Sequence, residues 1–263
     1  MGQELIRAEG AWARAQSAPL FTHWMEMMIV SALEGSMGSV WTLEDAPGGA
    51  LVECADFLFL SSRSTRSAES LLRAWKQERA GRYAILVARD PALSALAPAV
   101  FGGDASPTRR YAFHKGGEDF DRSRLACFAD AAPPEVRVCP FDRETYRMAM
   151  AAPWSRSFCE QFRSEEDFLA RGLGMAAVRN GELVGGASSY ICWSGGIELQ
   201  VETRRDMRRQ GIALACCARL ILRCLDRSLY PSWDAANPES AALAARLGYR
   251  IAGPYDAWEL YPA

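Results

Sequence analysis

The segment from Val201 to Ala213 constrains the fold of this chain more than any other. Its sequence, Val-Glu-Thr-Arg-Arg-Asp-Met-Arg-Arg-Gln-Gly-Ile-Ala, predicts a strand, a basic turn and the first turn of a helix. The first N–H groups of a helix lack acceptors within it, and its N-terminus carries about half a positive charge. Gly211 has no Cβ, so a ligand can approach the backbone there. The junction is therefore typical of a diphosphate site, with further charge supplied by Arg204, Arg205, Arg208 and Arg209.

The spacing Arg208-x-x-Gly211-x-Ala213 resembles the acyl-CoA signature of the GNAT acyltransferases. It is not a Walker A loop, because no Gly-Lys-Ser/Thr follows, and it is not a dinucleotide fingerprint, because only one glycine is present. The hexapeptide alone leaves open a basic helix N-terminus that faces solvent. The resemblance implies a coenzyme A site.

Composition excludes several other functions. The net charge of −2 gives no overall attraction to nucleic acid, so no nucleic-acid partner is expected. The eight cysteines form no C-x-x-C pair and only two histidines exist, so no metal is expected. The chain starts without the basic-then-apolar order of a signal peptide, and no apolar run approaches the roughly 18 residues that span a bilayer. We therefore expect a cytoplasmic protein without a membrane partner.

Turn and cap residues divide the C-terminal half into elements of an α/β (α+β) fold. Asn180-Gly181 between apolar runs predicts a hairpin. The expected order is a strand at 135–139, a helix from Asp142 to about Met150, a helix between Ser164 and Gly172, the hairpin at 174–191, a strand at 197–203, a helix after Gly211, a strand at 229–235, a helix from Asn237-Pro238 to Gly248, and a closing hairpin of 249–251 with 257–261.

The N-terminal half has fewer clear patterns. Strands are expected at 55–61, 83–88 and 110–114, a helix at 67–78, a loop at 102–107 and a linker at 129–134. We therefore expect an N-terminal α/β region, residues 1–131, and a C-terminal domain, residues 132–263. The element order of that domain resembles the GNAT fold, which implies a mixed, splayed central sheet flanked by helices.

Several strings carry a closer resemblance to one GNAT subgroup. They are Pro153-Trp154-Ser155, Glu198-Leu199-Gln200-Val201-Glu202-Thr203, the run from Leu229 to Asn237, and Leu247-Gly248-Tyr249. The combination looks like the subgroup that includes the zwittermicin A resistance acetyltransferase. This resemblance implies N-acetylation with acetyl-CoA as cosubstrate, and an N-terminal region that roofs the acceptor site. It does not identify the acceptor.

The resemblance also assigns cofactor-binding residues by position. Backbone amides of the signature would hold the pyrophosphate, with Arg208 beside them: Arg209, Gln210, Gly211, Ile212, Ala213 and Leu214. Val201, Glu202 and Thr203 would run alongside the pantetheine arm like an added strand. Asn237 and Ser240 would approach the arm from the other side.

Glu198 and Glu202 are the candidate catalytic bases. They lie four residues apart on one strand and therefore share a face, unless a bulge re-aims them. The alternative is that both are solvated on an exposed face, and which of them acts is left open. Many GNAT members also place a tyrosine, the proton donor to the leaving thiolate, where this chain has Ala244. The possible substitutes are Tyr249, Tyr190 and Tyr230.

Asp234, Trp233 and Trp154 are the candidate acceptor-binding residues. Asp234 either binds an ammonium group or satisfies backbone N–H groups, and each tryptophan either lines a pocket or packs in the core. The vicinal pair Cys216-Cys217 is interpreted as packing. We expect an N-acetyltransferase that acts on a small-molecule amine by direct attack. A CoA-binding regulatory or scaffold protein and a protein or peptide lysine acetyltransferase are the alternatives, and a homodimer is left open.

Overall fold

A computed structural model of the chain describes residues 4–44, 48–79, 81–116 and 120–261. The strands of this described part are β1 (Ile6–Arg7), β2 (Ser39–Thr42), β3 (Gly49–Cys54), β4 (Phe57–Ser62), β5 (Ala84–Val87), β6 (Ala105–Phe113), β7 (Arg137–Pro140), β8 (Gly174–Arg179), β9 (Glu182–Trp193), β10 (Gly196–Thr203), β11 (Tyr230–Ser232) and β12 (Ile251–Leu260). The signal-peptide expectation falls partly on residues 1–3, which lie outside the described residues.

Most of the helices begin at a residue whose side chain caps them. The helices are α1 (Gly10–Ser17), α2 (Met27–Glu34), α3 (Thr65–Glu78), α4 (Pro91–Ser94), α5 (Leu96–Phe101), α6 (Arg122–Ala129), α7 (Arg143–Ala151), α8 (Glu165–Arg171), α9 (Ile212–Asp226) and α10 (Pro238–Leu247). The expected caps Asp142, Ser164 and Asn237 each accept a hydrogen bond from a backbone N–H of the first turn. Within the described residues, no helix combines the length and apolar character needed to cross a bilayer.

The chain divides into two compact units. The first consists of residues 1–110 and 254–263, and the second of residues 111–253. Both boundaries fall inside strands, between Arg110 and Tyr111 in β6 and between Gly253 and Pro254 in β12. The expected boundary at 131/132 coincides with neither, since residues 111–131 cluster with the second unit and the last strand turns back to the first.

The first unit is built on a seven-stranded sheet in the order β1-β2-β3-β4-β5-β12-β6. β4 and β5 are parallel, while β2, β3 and β4 form an antiparallel meander. Helix α3 buries Leu71, Leu72 and Trp75 in the same core as Leu58 and Leu60 of β4. These contacts are the apolar burial that a helix packed on a sheet requires.

The second unit is built on a five-stranded mixed sheet in the order β11-β10-β9-β8-β7. Asn180 and Gly181 have φ angles of 53° and 79° and turn β8 into β9, so the Asn-Gly prediction is confirmed. The two sides of the sheet are covered by different elements. A Cβ at Gly185 would meet Ile212 of α9, whereas a Cβ at Gly186 would meet Phe158, which precedes α8. The expected α/β fold with a mixed central sheet between helices is confirmed.

Two stretches of the chain repeat one order of elements. From β1 to β6 the order is a strand, two helices, three antiparallel strands, α3, the parallel strand β5, two short helices and β6. From β7 to β12 it is a strand, two helices, three antiparallel strands, α9, the parallel strand β11, α10 and β12. The sequence analysis did not predict this repeat, because the halves share no visible motif.

Two local predictions are wrong. Residues 251–260 form one strand, not a closing hairpin: Gly253, with a φ of 143°, continues the strand without reversing it, and residues 258–260 pair with β5. The expected loop at 102–107 is a short 3-10 turn followed by the start of β6. In both places, pairing with strands distant in sequence overrides local glycine and proline signals.

Candidate functional site

The strands β10 and β11 lie side by side over only three residue pairs. Gly196, Ile197 and Glu198 pair in parallel with Tyr230, Pro231 and Ser232. Beyond Ser232 the chain turns away, and Ala235 exchanges two backbone hydrogen bonds with Tyr111. β10 itself continues to Thr203, paired on its other side with β9. A gap therefore opens beside β10 from Leu199 onward, which is the splay expected in this sheet.

Glu198 lies at the vertex of that gap. Its side chain is only 4 % exposed, and its carboxylate Oε2 is 3.9 Å from Nζ of Lys115, whose side chain is equally buried. The same Nζ donates hydrogen bonds to Ser232 Oγ at 2.7 Å and to the Trp233 carbonyl at 2.8 Å. The β9–β10 register shifts between Glu198, which pairs with Ile191, and Leu199, which pairs with Ser189. Glu198 is therefore a buried, ion-paired carboxylate and not a solvated one.

Glu202 lies at the other end of the open edge. Its Oε1 accepts a hydrogen bond at 3.0 Å from Arg208, which also donates to the Thr203 carbonyl. The pair is partly exposed, with side chains 34 % and 59 % exposed for Glu202 and Arg208. A pair in such a setting contributes about 0–1 kcal/mol. Glu202 thus lies beside the basic turn, four residues along the strand from the vertex.

The N-terminus of α9 has no capping side chain. In the described residues, the N–H groups of Gly211, Ile212, Ala213 and Leu214 donate no hydrogen bond, and the first recorded donor is Ala215. Thr203 Oγ1, at the end of β10, is also buried without a partner among the described residues. Unpaired N–H groups at a helix start, next to a buried hydroxyl, suit an anion.

The basic turn before α9 keeps its arginines exposed. Arg208, Arg209 and Gln210 are all exposed, and Arg209 adopts a left-handed φ of 65°. Arg204 instead donates hydrogen bonds to Asp206 and Glu182, which raise the pKa of its guanidinium. The side chains available to a diphosphate are therefore those nearest the start of α9.

Gly211 is required for a different reason from the one expected. It has a φ of 81°, and a Cβ there would lie 2.2 Å from the carbonyl oxygen of Ala131. The side of Gly211 on which a Cβ would project is thus occupied by the chain itself. The glycine permits close packing of backbone on backbone, while the N–H groups of the helix start remain without acceptors.

The remaining cofactor candidates make contacts within the protein. Asn237 caps α10 by accepting from the Ser240 N–H at 2.8 Å, and Ser240 Oγ accepts from the Trp233 indole at 3.2 Å. Val201 is half-buried on the open edge of β10. The structure therefore gives Asn237 and Ser240 a structural role in ordering the helix that follows β11.

The acceptor candidates lie in different surroundings. Trp233 is 1 % exposed and packs edge-on against Tyr249, so its ring is part of the core. Trp154 is half-buried and packs against Phe158. The chain around Phe158 is fixed to the sheet, because Ser188 donates to its carbonyl and Gln200 of β10 donates to Ser157. Asp234 is half-buried beside the gap.

Comparison with known proteins decides the family. The profile of the GNAT acetyltransferase family matches residues 18–258. The chain belongs to the GNAT acetyltransferase family. It is also 30 % identical over 98 residues to YdfB, an uncharacterized N-acetyltransferase of Bacillus subtilis (strain 168). That match covers 36 % of this chain and 38 % of the relative, well under two thirds of its length.

Solved GNAT structures resemble the whole chain. The crystal structure of a GCN5-related N-acetyltransferase-like protein from Streptococcus suis 89/1591 has a TM-score of 0.87 and 37 % identity, covering 95 % of this chain and 100 % of that one. A tandem GNAT protein from the clavulanic acid biosynthesis pathway has a TM-score of 0.58 and 14 % identity, covering 99 % and 98 %. The second likeness concerns the fold alone, and its tandem architecture agrees with the repeated element order found here.

The two units differ at corresponding positions in their described residues. The third parallel pair of β10 and β11 is Glu198 with Ser232, whereas the third pair of β4 and β5 is Phe59 with Val87. Helix α3 begins soon after β4 and is capped by the side chain of Ser64. The first unit therefore has a buried aromatic ring where the second has its carboxylate, and a capped helix where the second has unpaired N–H groups.

Where many GNAT members carry a tyrosine, this chain has Ala244, which is buried inside α10. The Tyr249 hydroxyl donates to the Pro231 carbonyl at 2.6 Å, and burial raises its pKa well above the ordinary value. Tyr249 is therefore a structural residue that ties the segment after α10 to β11.

The two neighbouring cysteines in α9 are buried. Burial raises the pKa of the Cys216 thiol to about 12 and that of Cys217 well above its ordinary value. Such thiols are packing groups and not nucleophiles. Among the described residues, no group of three or more His, Cys, Asp or Glu side chains could hold a metal ion.

Lys115 is the site residue that the sequence analysis missed. It follows β6, in a region without a recognisable motif, and its contacts are with residues about 80 to 120 positions later. The one available signal is composition. Lysine occurs only twice in the chain, at Lys76 and Lys115, among 30 basic side chains.

Proposed function

We propose that the second unit binds acetyl-CoA and transfers its acetyl group to a primary amine of a small molecule, with Glu198 as the general base. The observation that carries this proposal is the parting of β10 and β11 at Glu198, beside a helix start whose N–H groups have no acceptor. The reaction is a direct attack in a ternary complex, without a covalent acyl-enzyme, because the cysteines nearest the signature are inert.

The residues of the second unit suit acetyl-CoA along the whole open edge. The N–H groups of Gly211 to Leu214, with Arg208 and Arg209, would hold the diphosphate at the positive end of α9. The open backbone of β10 from Leu199 to Thr203 would pair with the amide groups of the pantetheine arm, as an added strand does. Bound there, acetyl-CoA supplies the acyl thioester. The residues from Glu198 to Thr203 span about 17 Å at roughly 3.3 Å per residue.

Glu198 has the better position for proton removal. An aliphatic amine with a pKa near 10 is protonated at pH 7, and freeing its lone pair costs about 4 kcal/mol. A carboxylate at the vertex accepts that proton directly or through a water molecule, which typically contributes about 10²–10⁴-fold in rate. Glu202 is instead engaged with Arg208, at the end where the diphosphate would lie, and its role is to hold that arginine.

No tyrosine is required for departure of the thiolate. A thiol with a pKa of about 8.5 is a competent leaving group near neutral pH, and the proton can come from water. Ala244 nevertheless supports a second candidate, a CoA-binding regulatory or scaffold protein that has lost catalysis. The buried Lys115–Glu198 pair favours the enzyme, since a scaffold gains nothing from a carboxylate at the vertex.

The acceptor is proposed to be a small molecule, as in the subgroup that includes the zwittermicin A resistance acetyltransferase. Asp234 would bind an ammonium group of the acceptor, and Trp154 would contact an apolar part of it. Transfer to lysine residues of peptides is the competing outcome. Cytoplasmic location, the lack of nucleic-acid and membrane partners, and a possible homodimer remain proposals.

One assay separates these functions. Purified protein is incubated with acetyl-CoA and a panel containing spermidine, tyramine, L-lysine, an aminoglycoside and a lysine-containing peptide, and thiol release and acetylated products are measured. Acetylation of a small amine, reduced in Glu198→Gln and largely retained in Glu202→Gln, supports the proposal. Binding of acetyl-CoA without transfer to any member favours the scaffold, and transfer only to the peptide favours a peptide acetyltransferase.

A further inference from the structure

Lys115 is a buried lysine bound to both strands of the gap. Its side chain is 4 % exposed, its Nζ lies 3.9 Å from Glu198 of β10, and it donates hydrogen bonds to Ser232 and Trp233 of the β11 segment. The two strands that separate at this point are therefore linked by a single ammonium group. None of these contacts belongs to the expected acetyl-CoA signature.

A buried ammonium group needs compensation for its lost hydration. An unpaired charge in the protein interior is costly, and it is tolerated when an opposite charge and hydrogen-bond acceptors surround it. Glu198 supplies the charge, and Ser232 Oγ and the Trp233 carbonyl supply acceptors. The chain otherwise uses arginine for 28 of its 30 basic side chains. A compact point charge on a slender stem fits where a planar guanidinium does not.

The contacts with Ser232 and Trp233 place the ammonium group at the point where the strands part. Ser232 is the last residue of β11 paired with β10, and Trp233 follows it. The Ser232 hydroxyl and the Trp233 carbonyl both accept hydrogen bonds from Lys115. The lysine is thereby anchored on the end of β11 while its ammonium group lies beside the Glu198 carboxylate.

We propose that Lys115 is a positioning residue for acetyl transfer: its ammonium group, anchored on Ser232 and Trp233 at the end of β11, holds Glu198 at the vertex. This inference rests on the proposed function, in which Glu198 accepts the proton of the amine. Lys115 acts through Glu198, and it contacts neither substrate. Its loss should therefore lower kcat more than it weakens the binding of acetyl-CoA.

The test is a kinetic double-mutant cycle on the full chain. Lys115→Met keeps most of the side-chain volume, and Lys76→Met is the matched control because Lys76 is the only other lysine and lies on α3 of the first unit. With the small amine found active in the panel, Lys115→Met should lower kcat by about 10- to 100-fold, the usual result of misplacing a reacting group. The KM for acetyl-CoA should stay within about threefold. Lys76→Met should leave both unchanged.

The double variant Lys115→Met/Glu198→Gln distinguishes positioning from general damage. If Lys115 acts through Glu198, the double variant turns over within about twofold of Glu198→Gln alone, since residues that act as a unit are not additive. Additive losses overturn the proposal, as does a kcat for Lys115→Met within twofold of wild type. Should Lys115→Met fail to fold, Ser232→Ala replaces it: an expected fall of about three- to tenfold must vanish in the Glu198→Gln background. An unchanged kcat in Ser232→Ala overturns the proposal.

Failure of the underlying function gives a different result. Wild-type protein that acetylates no amine overturns the proposed function and the role of Lys115 together. Wild-type protein that is active and loses little in Glu198→Gln overturns the assignment of the base. An active enzyme that depends on Glu198 but is indifferent to Lys115 overturns the positioning role alone.

Discussion

Glu198 on β10 lies opposite Ser232 on β11 in the last residue pair that these parallel strands share. This relationship distinguishes two glutamates that look equivalent in the sequence. Glu198 is at the closed end of the gap and Glu202 is about 13 Å further along the strand, at roughly 3.3 Å per residue. Only the first is buried beside a lysine, and only the second is engaged by the arginine of the signature.

The two glutamates should therefore respond differently to the same substitution. Glu198→Gln removes the proton acceptor at nearly constant volume, and kcat should fall by about 10²–10⁴-fold. Glu202→Gln should change kcat less than about fivefold, because it loses only a partly exposed ion pair. Steady-state kinetics give kcat, and calorimetry should show nearly unchanged acetyl-CoA affinity in Glu198→Gln. A larger loss in Glu202→Gln than in Glu198→Gln would reverse the assignment.

Substitution of Gly211 is expected to lower the stability of the protein even without a ligand. Gly211→Ala combines a left-handed backbone with a clash against the Ala131 carbonyl, so unfolding free energy should fall by about 2–5 kcal/mol. The matched control is Gly181→Ala, where φ is 79° but no atom lies within 4 Å of the new Cβ. That variant should lose only about 1–2 kcal/mol, from backbone strain alone. Urea unfolding without ligand measures both, and equal losses would show that the Ala131 contact is unimportant.

Much of the second unit could be predicted because its signals are local. Caps at Asp142, Ser164 and Asn237, and the Asn180-Gly181 turn, act within a few residues of where they occur. The strand at 251–260 was not predictable in the same way, since its residues 258–260 pair with β5, which is distant in the sequence. Distant contacts decide that strand, and no short window contains them.

In the candidate site, too, local features could be predicted from the sequence and features that depend on distant contacts could not. The helix start at Gly211 could be predicted from its own sequence, and so could the two glutamates on β10. The difference between the glutamates could not, because it depends on where β11 turns away and on Lys115. Asn237 and Ser240 were assigned by resemblance to the cofactor, whereas their contacts in the structure are with each other and with Trp233. Their assignment to the cofactor stays a prediction, and their contacts within the protein could not be predicted from position in a motif.

The start of α9 can be tested by a change that affects folding and binding in opposite directions. Ala213→Asp places a negative charge in the first turn, where the helix dipole stabilises it by about 0.3–1 kcal/mol. The same charge repels a diphosphate, so acetyl-CoA affinity should fall by at least about tenfold. Ala213→Asn is the neutral control of the same shape. Thermal unfolding and calorimetry report the two effects, and unaltered affinity in Ala213→Asp would mean that the diphosphate binds elsewhere.

Thiol reactivity should separate the exposed cysteine from the buried pair. Cys127 is exposed on α6, whereas Cys216 and Cys217 are fully buried with raised pKa values. A disulfide reagent at pH 8 should modify Cys127 quickly in native protein and the α9 pair only after unfolding, because few of the buried thiols are ionised. Peptide mass spectrometry assigns the modified sites. Rapid modification of Cys216 or Cys217 in folded protein would contradict the packing role.

The cap of α7 should contribute a pH-dependent part of the stability. The hydrogen bond from the Thr145 N–H lowers the pKa of Asp142 below its ordinary value of 3.8. Because the folded pKa is the lower one, the stabilisation is present above about pH 4 and is lost as the pH falls through the folded value. Asp142→Ala should cost about 1 kcal/mol at pH 7, and less near pH 2. Urea titrations at the two pH values measure this, with Asp142→Asn as a cap that does not titrate.

The central claim, that the open edge of β10 and the start of α9 form an acetyl-CoA site, is tested most directly by calorimetric titration of wild-type protein with acetyl-CoA. The account predicts saturable binding of one molecule per chain with a Kd of about 1 μM to 1 mM, the usual range for a substrate. It also predicts competition by coenzyme A and at least tenfold weaker binding of pantetheine, which lacks the diphosphate. Absence of saturable heat with acetyl-CoA, or equal affinity for pantetheine, would contradict it.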